Sequence, residues 1–128
     1  MSEKRRIITL NNCGKIIQLN VEIADSWFKQ IKGLMFQNSL AENEGMLFVF
    51  KDEKPRSLWM LFTNIPLEAL FFDKEGKLID IIKMELCNNL FCPKYKSKGA
   101  AKYILEVNNE FCKKNSVKVG CSFKLSNN

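Results

Sequence analysis

An all-β sandwich or barrel carrying one or two short helices is what this sequence predicts, and three observations carry the prediction. Short apolar runs recur along the chain, one of them in strict alternation with polar residues. Clusters of Gly, Asn, Asp and Pro punctuate these runs as turns. The length of 128 residues fits a single domain spanning 1–128, and the hydrophobic content of 46% with ten Phe supplies it with a core.

Residues 6–10 read as a first strand, with Asn11, Asn12, Cys13 and Gly14 suited to a tight hairpin. Residues 16–23 alternate. Ile17, Leu19, Val21 and Ile23 share one face and Gln18, Asn20 and Glu22 the other, the mark of a half-buried strand. Asp25 and Ser26 then offer a helix N-cap. Trp27, Ile31 and Leu34 recur at helical spacing, and Gly33 can end the helix in a left-handed conformation. Residues 37–44 form a polar loop. Strands resume at 46–50 and 58–62, separated by the charged, proline-containing segment 51–55. Strands at 69–72 and 77–83 flank Asp73-Lys74-Glu75-Gly76, a hairpin turn in which Gly supplies positive φ. Residues 85–99 read as a long irregular loop. Two last strands, 102–107 and 117–125, surround a short helical segment at 109–114.

The chain has no histidine, which removes Ser-His-Asp and Cys-His catalysis, His-based zinc sites and imidazole pH switching. Five cysteines, an odd number without a recognisable signal peptide, read as reduced thiols in a cytoplasmic protein. The longest charge-free apolar stretch, residues 57–67, is too short to span a bilayer. Of the net charge of +6, all lies beyond Gly76, where ten Lys face only Asp80, Glu85, Glu106 and Glu110. That excess can attract an anionic partner.

Several words of the sequence then coincide. They are Lys32-Gly33-Leu34-Met35 after the short helix, Gly45-Met46-Leu47-Phe48-Val49-Phe50, Trp59-Met60, Thr63, Ile65-Pro66-Leu67, Phe71-Phe72-Asp73 and Tyr103-Ile104-Leu105-Glu106-Val107. Together they resemble the family called domain of unknown function 192, over roughly residues 16–125. The resemblance implies a mainly β fold, a compact β-sandwich of jelly-roll-like type with one or two short helices, and no established reaction. The chain departs from the family's usual Lys at Leu61, Asn at Phe62, Asp at Glu68, Gly at Asn109 and Asp at Cys121. Phe62 in place of that Asn removes the polar group from any site built on it, and implies that the position is packed and apolar here.

Four constellations are candidates for chemistry. Trp59, Met60, Thr63, Asn64 and Glu68 combine an aromatic surface with polar tips, as a small-ligand pocket would. On a strand, Trp59, Leu61 and Thr63 share one face and Met60, Phe62 and Asn64 the other. The competing reading places Trp59 in the core, and it is the favoured one. The pocket reading expects Glu68→Ala to spare stability and abolish ligand binding. Glu106 lies in an otherwise apolar strand, on the face of Ile104. Buried, it would have a raised pKa suited to an acid, a base or a cation ligand. A solvent-facing glutamate, or one paired with Lys102, is the favoured alternative. Cys87 and Cys92 have a Cys-x4-Cys spacing at the loose edge of zinc geometry, and Cys112 and Cys121 could complete four sulfurs on paper. Buried free thiols and no metal are preferred, and a Cys87–Cys92 disulfide is sterically possible but unsupported by a cytoplasmic compartment. Last, Lys94, Lys96, Lys98 and Lys102 surround Tyr95, a basic patch able to attract phosphate, with Tyr95 to stack on a base but no bidentate base readout; a solvated, flexible lysine loop is the favoured alternative.

The sequence as a whole points to a non-enzymatic module binding a small or anionic ligand near Trp59, Thr63 and Glu68. It implies no cofactor, and nucleic-acid attraction that is weak and non-specific at most. The rivals are a carboxylate enzyme working through Glu68 and Glu106 without histidine, and a protein-interaction domain marked by an exposed apolar patch.

Overall fold

A computed structural model of the chain describes residues 4–126. Its strands are β1 (Arg5–Asn12), β2 (Lys15–Ala24), β3 (Glu44–Leu58), β4 (Leu67–Phe72), β5 (Leu78–Met84), β6 (Tyr95–Asn108) and β7 (Ser122–Leu125). The helix α1 (Trp27–Lys32) follows β2, and α2 (Phe111–Asn115) follows β6. The fold is mainly β, as expected, but all seven strands pair into one sheet, in the order β5-β4-β6-β3-β2-β1-β7. The sheet curls into a half-barrel, so the expected sandwich of separate sheets gives way to one sheet with a covered surface on each side.

Local chemistry explains most of the pairing. Cys13 and Gly14, both at positive φ, form the two-residue turn that sets the β1–β2 register. In the β4–β5 hairpin the Asp73 carboxylate accepts from the N–H groups of Glu75 and Lys77, at 3.0 and 2.9 Å. β2 and β3 run parallel, with α1 in the crossover between them. β6 pairs antiparallel with β3 on one side and β4 on the other.

Four elements differ from the sequence reading. The last strand, expected over 117–125, covers only Ser122–Leu125, because residues 118–121 close a turn, Cys121 N–H donating to the Lys118 carbonyl at 3.1 Å. The charged segment 51–55 does not separate two strands. β3 runs through it, with register shifts between Val49 and Lys54 and between Pro55 and Ser57. A proline is tolerated in a ladder at such bulges. Arg56 pins this arm: its Nε donates to the Ala101 carbonyl at 2.9 Å and its guanidinium lies 3.9 Å over the Phe50 ring. The expected strand at 58–62 is a turn, and the expected loop at 85–99 ends early because β6 begins at Tyr95. Within that segment Cys87 and Cys92 form a disulfide. This corrects the expectation of five free thiols, because the chain folds back and brings the two Cα atoms to 5.7 Å. Cys13, Cys112 and Cys121 are free.

Alternation along the central strands sends residues to two apolar clusters. Leu47, Leu70, Phe72, Leu105 and Val107 join Ile8, Leu10, Val21 and Phe111 on one side. Met46, Phe48, Ala69, Phe71 and Ile104 face the other, where Leu34 and Met60 cover them. The helical spacing of Trp27, Ile31 and Leu34 marks no buried helix face. Trp27 and Ile31 are exposed, and only Leu34, beyond the helix end, enters the core.

Candidate functional site

The site is built where α1 ends over the second cluster. The Ser26 hydroxyl caps the helix by accepting from Lys29 N–H at 3.3 Å, as the sequence predicts. Gln30 docks it on the sheet, its Nε2 donating to the carbonyls of Ala24 at 3.2 Å and Val49 at 2.9 Å. Gly33, at φ +50, then turns the chain downward. A Cβ at Gly33 would stand 3.5 Å from Phe48 Cζ and 3.8 Å from Glu106 Oε1, so the glycine backbone passes close over that carboxyl.

Glu106 occupies the middle of the sheet. In register it lies between Met46 of β3 and Ala69 of β4, and shares their face. It is 5% exposed, which corrects the solvent-facing reading: α1 and the segment after it cover a face that alternation alone leaves open. Among the described residues no hydrogen bond or ion pair reaches its carboxyl, and no pairing with Lys102 forms. Burial pushes its pKa up to about 7. The carboxyl opens into a cavity of about 130 Å³, whose lining includes Trp59, Thr63, Ile31, Lys32 and Phe48.

Three of the six predicted site residues, Trp59, Thr63 and Glu106, therefore meet in one concavity. Trp59 is 42% exposed, which overturns its favoured placement in the core. The core residue is its neighbour Met60, 1% exposed. The strand alternation fails here because β3 ends at Leu58. Thr63 N–H donates to the Met60 carbonyl at 3.0 Å, closing a turn that swings Met60 in and Trp59 out. We expect Trp59→Ala to cost no more than about 1 kcal/mol and Met60→Ala roughly 2–5 kcal/mol, read from denaturant midpoints.

Asn64 lies outside this cavity. Its Nδ2 donates to Asn38 Oδ1 at 3.3 Å, and it lines a neighbouring hollow of about 410 Å³ with Phe62, Thr63 and the disulfide loop. Phe62 is exposed and stacks on Phe36 with ring centroids 5.4 Å apart, so the position is not packed inside. Its φ of 56° explains the family's usual Asn, a residue that tolerates the left-handed region. Glu68 stands opposite Val107 and shares its face, away from Glu106. Buried there, its carboxylate accepts from the N–H groups of Cys112 at 2.9 Å and Glu110 at 3.3 Å. The two carboxylates do not converge.

The remaining candidates separate likewise. Lys96 and Lys98 lie exposed along β6, and Lys94 just before it. Tyr95 is partly buried against the second cluster, its hydroxyl accepting from Glu85 N–H at 3.2 Å. Lys102 sits 5.7 Å from the Tyr103 ring centroid. Burial, and then Glu68, push the Cys112 thiol far above the usual range, which suppresses thiolate chemistry. Among the described residues no three His, Cys, Asp or Glu side chains gather as a metal-ligand set. Nor, among them, is any helix long and apolar enough to cross a membrane. A larger hollow of about 430 Å³ lies between β2 and α2; of its three charged residues, Glu42 and Lys114 pair with each other and Glu110 is the third.

The part of the site that sequence reasoning missed is the α1 end: Gln30, Gly33 and Leu34. Its only signal was Gly33-Leu34 directly after a capped helix.

Comparison with known proteins agrees with this architecture. A Sinorhizobium meliloti 1021 protein, described as a "putative transcription regulator", superposes with a TM-score of 0.90 at 28% identity, over 98% of this chain and 96% of that one. A protein of unknown function from Novosphingobium aromaticivorans DSM 12444 gives 0.85 at 21% identity, over 97% and 93%. A curated protein of Thermococcus sibiricus (strain DSM 12597 / MM 739), named only UPF0127 protein, is 30% identical over 95 residues. That match takes in 73% of this chain and 57% of the relative, so the chain spans little more than half that protein's length. The family model for domain of unknown function 192, described as "Uncharacterized ACR", matches residues 8–125. With nearly its whole length matched, the chain belongs to the domain of unknown function 192 family.

Proposed function

We propose that the protein is a non-enzymatic binding module whose ligand is a small molecule, or the tip of a larger one, held in the cavity over Glu106. The observation that carries this reading is an unpartnered carboxyl, more than nine-tenths buried, opening into a concavity rimmed by Trp59. Holding a polar group away from water without a partner costs free energy. A ligand that hydrogen-bonds it recovers that cost, while Trp59 supplies apolar contact area. An enzyme would need a second group facing Glu106, and Glu68 lies on the opposite face of the sheet. An anionic ligand is disfavoured beside a carboxylate. To Lys94, Lys96, Lys98 and Lys102 we assign no more than a screened attraction to nucleic acid, removed at physiological salt.

A protein-observed NMR screen of small fragments tests the reading. Hits are expected to shift the Trp59 indole and the Gly33 and Thr63 amides, and to lose affinity in Trp59→Ala while the rest of the spectrum is retained. Hits that map elsewhere, or that ignore Trp59→Ala, would refute it. The rival interaction-domain reading rests on the exposed side chains of Phe36, Phe62, Leu86, Leu90 and Phe91, and gains if the screen is empty.

A further inference from the structure

Resting on that reading, we infer that the cavity takes the head of a small primary amine, its ammonium paired with Glu106 and its alkyl body along the apolar wall. The polar inventory of the lining is the first argument. The carboxyl of Glu106 accepts when ionised and has no partner. Gln30 spends both amide hydrogens on the carbonyls of Ala24 and Val49, leaving its Oε1 as the available group. The Thr63 hydroxyl donates to the Leu61 carbonyl at 3.4 Å, so lone pairs remain. Gly33 N–H is committed to the Lys29 carbonyl at 2.9 Å. The Ser57 hydroxyl and the Trp59 indole N–H can donate, but both residues are exposed. Around Glu106 the lining thus offers mainly acceptors, so a fitting ligand brings the donors, and an ammonium brings three.

Charge is the second argument. Glu106 is the one acidic group of the lining, so it balances one positive charge. A divalent ion would call for further anionic ligands, and among the described residues no three His, Cys, Asp or Glu side chains gather there, so Glu106 would be its one charged ligand. Lys32 is the other charged group of the lining; it is exposed at the end of α1 and makes no ion pair with Glu106. Met46 and Ala69, which flank Glu106 on the neighbouring strands, do not titrate. Size and walls are the third. A cavity of about 130 Å³ accommodates roughly five or six non-hydrogen atoms. Ile31, Leu34, Phe48 and Leu58 provide an apolar wall, and the Trp59 face favours a cation.

Linkage supplies a signature. The ammonium requires Glu106 ionised, so below pH 7 binding must displace a proton. With the free carboxyl titrating at about 7, affinity should rise about tenfold from pH 6 to pH 8. An alkylamine stays protonated throughout that window.

The test is a two-dimensional amide NMR titration of the whole chain with n-butylamine, alongside n-butanol and butyrate as neutral and anionic counterparts. The expected result is saturable binding of n-butylamine alone, seen at Gly33, Thr63 and the Trp59 indole. It should be about tenfold tighter at pH 8 than at pH 6, and lost in Glu106→Gln with the fold intact. Binding of n-butanol as tight as the amine, amine affinity that is flat or falls with pH, or amine binding that survives Glu106→Gln would overturn the inference and leave the small-ligand cavity standing. Failure of all three probes to bind would overturn both.

Discussion

Glu106→Gln is expected to make the protein more stable at pH 8, by about 3 kcal/mol. The carboxyl has an ordinary value of 4.5 when the chain is unfolded and about 7 when it is folded, with burial as the cause. Below the unfolded value both states hold the proton, and the stability tied to this group is fully present. As pH climbs from 4.5 towards 7 the unfolded chain ionises freely while the folded chain resists, so wild-type stability falls across that window and levels off above it. Gln has the shape of the neutral acid and cannot ionise, so its profile should lack this descent. Asp25, Glu42 and Asp52 act in the opposite sense. Salt bridges to Lys4, Lys114 and Arg56 lower their pKa values, so their contributions fade only as pH drops below the carboxylate range. Urea midpoints at intervals from pH 4 to pH 8 measure the descent. A wild-type stability that rises between pH 5 and pH 8, or a Glu106→Gln variant weaker than wild type at pH 8, would contradict this account.

The other carboxylate of the sheet should behave in reverse. Glu68→Ala is expected to destabilise by roughly 3–5 kcal/mol. Glu68 is 1% exposed, and it satisfies two backbone donors at the start of α2, those of Glu110 and Cys112. Truncation strands both N–H groups in an apolar setting and leaves a void beside them. Glu68→Gln, which retains one acceptor oxygen, should lose less. Hydrogen exchange at residues 110–115 would show whether the loss is concentrated in that segment. A Glu68→Ala variant as stable as wild type would show that the capping bonds contribute nothing. This expectation reverses the one drawn from sequence, where Glu68 was placed at the ligand and not at a helix end.

The contrast shows what the sequence made legible. Short-range signals were read well: the alternation of β2, the Ser26 cap, the Gly33 stop and the Asp73–Gly76 turn each depend on neighbours a few residues away. What failed depends on partners far along the chain. Pro55 and the charges around it disguise a strand, because the bulges that accommodate them exist only against β6. The lysine-rich start of β6 lacks an apolar face of its own and reads as loop until β3 lies beside it. Glu106 is buried by a helix end some 70 residues earlier in the chain, so alternation gave its face but not its environment. Trp59 and Met60 exchanged roles because a single turn displaced the period of two.

The position of β6 has a consequence for how the chain comes to be assembled. It is the sixth strand in sequence and the central connection in space. β1, β2 and β3 form one ribbon and β4 and β5 another; β6 lies between them, and the still later β7 segment, paired with β1, hydrogen-bonds to Gly76 and Leu78 at the start of β5. Until residue 95 and those after it have been synthesised, β3 and β4 present unpaired backbone edges flanked by Leu47, Phe48, Leu70 and Phe71, side chains that end fully buried. Such edges are templates for pairing with other chains. Folding must therefore wait for a late strand to be threaded between two early ones, a topology of high contact order and correspondingly slow closure. The nascent protein is thus most vulnerable to aggregation in the interval between the emergence of β4 and the docking of β6.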